Sequence, residues 1–211
     1  MTLSVSQLTL RHRNNNLVVG PLTFDVEAGK IMTLMGPSGG GKSTILSAIA
    51  GHLTADFTAT GEIRLNNHSI TSLAPNMRHI GIVFQDDLLF PHLNIWQNLA
   101  FGLPQEIKGN QRKQRALATL DELDLLDLQH QQAHEISGGQ RARISMMRLL
   151  LSQPQAVLLD EPFSKLDKTL RSSFRQFVFD QIKQRDIPAL MVTHDDDDIP
   201  TNGDVLHWPW R

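Results

Sequence analysis

Short apolar runs recur along the chain, and stretches with helical spacing fill the gaps between them. Ile31-Met32-Thr33-Leu34-Met35 and the runs at 80–84, 157–159 and 189–192 are continuous, as expected of buried strands, and 205–207 is a last short one. After the first run, 45–53 sets Ile45, Leu46, Ile49, Ala50 and Leu53 on one helical face. Late in the chain, 166–185 turns Leu170, Phe174, Phe177, Val178 and Ile182 inward. Residues 3–10 and 22–26 read as strands, the second with Leu22, Phe24 and Val26 alternating with polar residues. Polar turns at 11–16 and 27–30 bound it, and 61–67 reads as a further strand and turn.

From about residue 86 the texture changes. The segments 93–103, 110–128 and 138–152 read as helices, and the second carries a stripe of Leu117, Leu120, Leu123, Leu125 and Leu126. The chain is therefore expected to be a single α/β domain. Its core is 1–86 and 153–211, with a mostly parallel sheet and a helical insertion over 87–152.

Composition narrows the classes. A length of 211 residues suits one domain with a full core. A formal net charge of −2 offers no broad basic surface, so nucleic acid is not an expected partner. There is no cysteine, hence no disulfide framework and no zinc cluster. The first residues do not resemble a signal peptide. No apolar run approaches the roughly 20 residues needed to span a bilayer. Work at a membrane would need a membrane-embedded partner.

The chemistry begins between the first buried run and the first helix. Gly36-Pro37-Ser38-Gly39-Gly40-Gly41-Lys42-Ser43-Thr44 fits the phosphate-cradling pattern G-x-x-x-x-G-K-[ST] in its strand-to-helix context. Glycines let backbone N–H groups approach phosphate oxygens, and the helix N-terminus adds its positive dipole end. Lys42 is placed to reach the β/γ-phosphates and Ser43 to ligate Mg²⁺. Kinases, GTPases and motor ATPases all use such a loop.

Two further stretches narrow the choice. Val157-Leu158-Leu159-Asp160-Glu161 is an apolar strand ending in two carboxylates. With this strand beside that of the phosphate loop, Asp160 would reach magnesium through water and Glu161 would act as general base. Ile136-Ser137-Gly138-Gly139-Gln140-Arg141 opens a helix, with Ser137 as N-cap, and makes a second anion-capable helix end distant in sequence from the first.

At these residues the chain resembles the ATP-binding subunits of bacterial ABC transporters over nearly its whole length. Ser137-Gly138-Gly139-Gln140 matches the family signature, with Ile136 where Leu is usual. The order of phosphate loop, Gln85, signature, Asp160-Glu161, Ser164-Lys165-Leu166-Asp167 and His194 also matches. The resemblance implies an α/β P-loop NTPase fold with a RecA-like, mostly parallel core, an N-terminal antiparallel β-subdomain and an inserted helical subdomain, and ATP and Mg²⁺ as ligands. It further implies a head-to-tail homodimer in which Ser137, Gly138, Gly139, Gln140 and Asp167 act in trans. Gln85 then resembles the lid glutamine that ligates magnesium and senses the attacking water, and His194 the histidine that contacts the γ-phosphate. By position His12 stands where the family stacks adenine on an aromatic residue, and the chain has no tyrosine.

Finer similarity is to importers. The segment from Phe84-Gln85-Asp86-Asp87 to Leu93 looks like the part that receives a permease helix. The resemblance therefore implies a separate integral membrane permease, a solute-binding protein and a peripheral location on the cytoplasmic face of the plasma membrane. No C-terminal regulatory domain is expected. Export, division and lipoprotein-release ATPases share the motifs and form the alternative; a P-loop kinase would leave the signature unexplained. Lys165 replaces a usual alanine. The acidic run at 195–198 reads as a solvated helix start, and His207-Trp208-Pro209-Trp210-Arg211 as a packed tail.

Overall fold

Alternation of apolar side chains across two sheets sets the architecture. The computed structural model describes residues 1–211 apart from Asp87, Asn202, Arg211 and the side chain of Thr169. The elements are β1 (Thr2–His12), β2 (Leu17–Glu27), β3 (Ile31–Met35), α1 (Lys42–Ala50), β4 (Phe57–Leu65), β5 (His68–Ser69) and β6 (Ile80–Val83). They continue with α2 (Ile95–Gly102), α3 (Gly109–Glu122), α4 (Gly138–Leu151), β7 (Ala156–Asp160), α5 (Lys168–Gln184), β8 (Ala189–Thr193) and β9 (Asp204–His207). Strands β2-β1-β4-β5 form an antiparallel sheet, and β6-β7-β8-β3-β9 form a parallel one.

The parallel sheet separates two apolar clusters, because successive residues of a strand face opposite sides. Leu158, Leu190 and Val192 join α1 and the antiparallel sheet on one side. Val157, Leu159, Ala189 and Met191 join α2, α4 and α5 on the other. This is the double covering expected from the continuous apolar runs. Strand β6 differs. It lies at the sheet edge and is half-buried throughout, not a fully buried strand.

Three boundaries move for local reasons. Helix α1 stops at Ala50 because Gly51 takes φ +86° and turns the chain, so Leu53 lies beyond it. Helix α3 ends at Glu122, Asp124 having φ +57°, and Leu126–Leu128 forms a separate 3₁₀ turn. Strand β4 begins at Phe57, four residues ahead of the expected start, because it pairs with β1 out to His12. In α5, Phe174, Val178 and Ile182 are buried as expected, but Leu170 is 37% exposed and leans on Gly139.

Arg78 fixes the far end of α1. Its guanidinium, 6% exposed, donates to Ala48 O (2.9 Å), Ile49 O (2.8 Å), Leu73 O (2.9 Å) and Thr71 O (2.7 Å). Burial lowers its pKa, and the carbonyls at the negative end of the helix are its partners. The helix that starts at the phosphate loop is thus tied down at its other end.

Candidate nucleotide site

Strand β3 is buried along its whole length and delivers the chain to Gly36 at the carboxyl edge of the sheet. Gly41 caps α1 at φ +89°, and a Cβ there would lie 2.8 Å from Val19, so the loop can take this shape only with glycine. Lys42 is 5% exposed. Its ammonium donates to Gly36 O (2.7 Å) and Pro37 O (3.0 Å) and stands 3.6 Å from Glu161 Oε1. The loop curls around its own lysine and leaves one side open.

The two carboxylates arrive from β7. The sequence allows β7 to lie beside β3 in one sheet; the two share the sheet, with β8 between them. Asp160 still reaches across, and Ser43 Oγ donates to Asp160 Oδ1 at 3.0 Å. Glu161 is the turning point after the strand, with φ +45° and its N–H donating to Val192 O (3.0 Å). A non-glycine residue in this region is held by its surroundings. Its carboxylate meets His194 Nδ1 at 3.2 Å. Gln85 Nε2 donates to Ser164 Oγ (3.1 Å), which donates to Glu161 O (2.9 Å), so Gln85 is linked to the same turn.

Burial, followed by the neighbouring charge of Glu161, raises the pKa of Asp160; the Ser43 hydroxyl and Lys42 oppose this. An acid whose folded pKa is raised binds more protons folded than unfolded, so its charge costs stability as pH rises out of the ordinary carboxylate range. Asp160→Asn is therefore expected to raise the Tm of the nucleotide-free protein at neutral pH. The gain should vanish at a pH below the ordinary carboxylate range, and thermal melts across pH would check this.

These residues line a cleft of about 610 Å³, whose walls include Ser38, Gly39, Gly41, Thr44, Gln85 and Glu161. That volume suits a nucleotide-sized ligand. Val18, beside Gly41, and Phe57 also line it. Sequence reasoning missed Phe57. Its signal was an aromatic residue in an otherwise polar stretch, and the register His12↔Phe57 brings it to the end of β1. His12 itself is exposed and sits edge-on to Phe57, with ring centroids 5.4 Å apart, outside the lining of the cleft.

The second helix end is built as its sequence suggests. Ser137 Oγ accepts from Gln140 N (3.3 Å) while Gln140 Oε1 accepts from Ser137 N (2.8 Å), a reciprocal capping box on α4. Gly139 is buried against Leu170, and Gly138 is half-exposed. Among the described residues, none of Ser137, Gly138, Gly139 and Gln140 lines the cleft of its own chain. Asp167 caps α5, accepting from Leu170 N at 3.1 Å.

The acidic run differs from expectation. Asp198 is 2% exposed, not solvated. It accepts from Arg171 Nε (3.0 Å), Arg171 Nη2 (2.6 Å) and Thr193 Oγ1 (2.8 Å), while Arg171 Nη2 also pairs with Asp195 (2.9 Å). His194 thus lies between Thr193, held by Asp198, and Asp195, held by Arg171. Asp87 of the segment after Gln85, and Arg211 of the tail, lie outside the described residues.

The model of the family described as ABC transporter matches residues 19–164, from β2 through the Glu161 turn. The chain belongs to the ABC transporter ATP-binding family. Members of this family bind and hydrolyse ATP. The chain is 46% identical over 204 residues to the uncharacterized ABC transporter ATP-binding protein YnjD of Escherichia coli (strain K12), covering 97% of this chain and 94% of that one. It is 33% identical over 197 residues to the spermidine/putrescine import ATP-binding protein PotA of Bacillus thuringiensis (strain Al Hakam), covering 93% of this chain. The chain spans 59% of the length of that PotA. Among solved structures, cbiO1 of Clostridium perfringens, part of the ABC transporter complex cbiONQ, superposes with a TM-score of 0.83 at 26% identity. That match covers 97% of this chain and 83% of the other. The P-loop NTPase fold, with an antiparallel β-sheet beside the parallel core, is thus shared with an ABC ATPase.

Proposed function

We propose that the chain hydrolyses ATP in the cleft beside Lys42 and couples this to solute import through a separate membrane permease. The observation that carries the reading is the meeting of Lys42, the Ser43–Asp160 pair and the Glu161–His194 pair at the carboxyl edge of one parallel sheet. Backbone N–H groups of the 36–44 loop receive the phosphates, and Lys42 exchanges its bonds to Gly36 and Pro37 for phosphate oxygens. Ser43 and Asp160 present hard oxygen donors 3.0 Å apart, a fit for magnesium with Asp160 acting through water. Bound there, magnesium would neutralise charge on the β- and γ-phosphate oxygens. Glu161 takes a proton from the water that attacks the γ-phosphorus as the bond to the ADP oxygen breaks. His194 contacts the γ-phosphate and Gln85 orients the water.

Phe57, with His12 against its edge, supplies the wall for the base. Base–aromatic stacking is worth roughly 1–3 kcal/mol. Phe57→Ala is therefore expected to raise the KM for ATP about tenfold with kcat little changed, while pyrophosphate still competes as before. Steady-state phosphate release would read this.

Import is the reading supported by the likeness to PotA and by an apolar groove of about 320 Å³ beside the Gln85 segment. Phe84, Leu88 and Phe101 line it and are 47%, 56% and 64% exposed. Arg148 backs it, lying over the Phe90 ring (4.8 Å) and donating to Leu88 O (2.8 Å). Such a patch suits an apolar helix of a partner. No helix among the described residues is long and apolar enough to cross a membrane. The permease must supply that part, with this chain bound peripherally at its cytoplasmic face and a solute-binding protein on the far side. Phe101→Glu is expected to abolish co-purification with the permease and stimulation by the loaded binding protein, with basal ATP hydrolysis retained. Retained coupling in that variant would sink the docking assignment.

A further inference from the structure

We propose that Trp208, seated on Trp210, is a positioning residue for the phosphate loop: it sets the carbonyls on which Lys42 rests and thereby the affinity for the phosphates. The inference rests on the nucleotide reading above and adds a part of the chain that its motifs do not include. Strand β9 pairs with β3 up to Met35↔His207, and Trp208 N then donates to Met35 O at 2.8 Å. The final segment is thus fastened where β3 becomes the loop. Two residues on, Trp210 turns back under it, 4% exposed, with its indole N–H donating to Leu206 O (3.2 Å). The two rings meet edge to face, with centroids 5.1 Å apart.

Both indoles press on the loop. A Cβ at Gly36 would stand 3.1 Å from Trp208 Cβ and 3.1 Å from Trp210 Cζ2. A Cβ at Gly40 would stand 3.7 Å from the Trp208 ring. The Gly36 backbone does not need glycine for its dihedral angles; a side chain there would press the tryptophans back by a few tenths of an ångström. Gly36 and Pro37 are also the residues whose carbonyls hold the Lys42 ammonium at 2.7 and 3.0 Å. Trp208 shares a pocket wall with both, together with His194. A rigid ring behind those two carbonyls restricts them to the arrangement that hands Lys42 to a phosphate, in place of leaving the loop to order itself on binding.

The test uses the whole chain, with ATP turnover measured for Trp208→Ala and Trp208→Phe. Trp208 is 42% exposed, so its truncation does not empty the core. Trp208→Ala should raise the KM for ATP about tenfold with kcat and Tm near those of the unaltered chain, and Trp208→Phe should recover most of the loss. In a Trp96→Phe background, magnesium pyrophosphate should also change tryptophan emission, and that change should shrink when Trp208 is replaced by Phe. An unchanged KM in Trp208→Ala would overturn the proposal. So would a lower kcat at unchanged KM that tracks a lowered Tm, or no recovery with Phe. Turnover by the unaltered chain tests the ATP reading separately, so failure of the tryptophan proposal leaves that reading standing.

Discussion

Glu161→Gln is expected to hold ATP and cease turning it over. The substitution keeps the shape of the side chain and its place at the φ +45° turn, where the backbone bond to Val192 O does not depend on the carboxylate. What it removes is the acceptor for the proton of the attacking water. General-base catalysis contributes about a hundred- to ten-thousandfold, so phosphate release should fall by at least about a hundredfold. Binding should survive or tighten. Glu161 stands 3.6 Å from the Lys42 ammonium and within reach of His194, so its negative charge opposes a γ-phosphate arriving on the same groups. Loss of that charge also takes away one cause of the raised pKa at Asp160, leaving the Ser43–Asp160 pair more readily ionised. Equilibrium binding should show ATP retained, and gel filtration with ATP should show a stable dimer. Undiminished turnover would remove Glu161 from the role of base, whereas a variant that binds ATP yet stays monomeric would count against the head-to-tail dimer.

The polar half of the cleft is legible in the sequence because contiguous stretches carry it. The loop from Gly36 to Thr44 supplies its own glycines, lysine and serine, and the strand ending in Asp160-Glu161 announces its edge by the change from apolar to acidic. The Phe57 wall of the cleft is not legible in this way. Phe57 reaches the cleft only because β4 pairs with β1 in a register that a short polar stretch does not advertise. Likewise, the four aspartates from 195 look solvated in sequence. Asp198 is buried only because Arg171, from a helix more than 20 residues earlier, folds onto it. The order β7-β8-β3 also escapes local reasoning, since any of several strand orders satisfies the same buried runs. Local chemistry is readable where one segment makes it, and becomes opaque where two distant segments share it.

That distinction bears most on Ser137. Its capping box leaves the hydroxyl proton of Ser137 directed by whatever acceptor comes near, because the oxygen already accepts from Gln140 N. On the proposed reading the exposed end of α4 and the cleft would each be half of an anion site, and among the described residues none of Ser137 to Gln140 lines the cleft of its own chain. A head-to-tail pairing of two copies would bring each half to the other twice. Two variants separate this arrangement from hydrolysis by single chains. Lys42→Ala removes the ammonium that meets the phosphates, and Ser137→Arg fills the end of α4 while costing about 1 kcal/mol of helix capping. Each alone is expected to hydrolyse almost nothing as a homodimer, since every site has one defective half. Mixed in equal amounts, they form heterodimers with one site wholly intact and one doubly defective. Activity should then return to roughly a quarter of that of the unaltered protein, from random pairing of two kinds of subunit. The recovery should depend on protein concentration, and ATP should drive exchange between labelled subunits. If Ser137→Arg alone retained full turnover, or mixing restored nothing although both variants fold, α4 would have no part in a neighbour's site. Hydrolysis would then belong to the single chain.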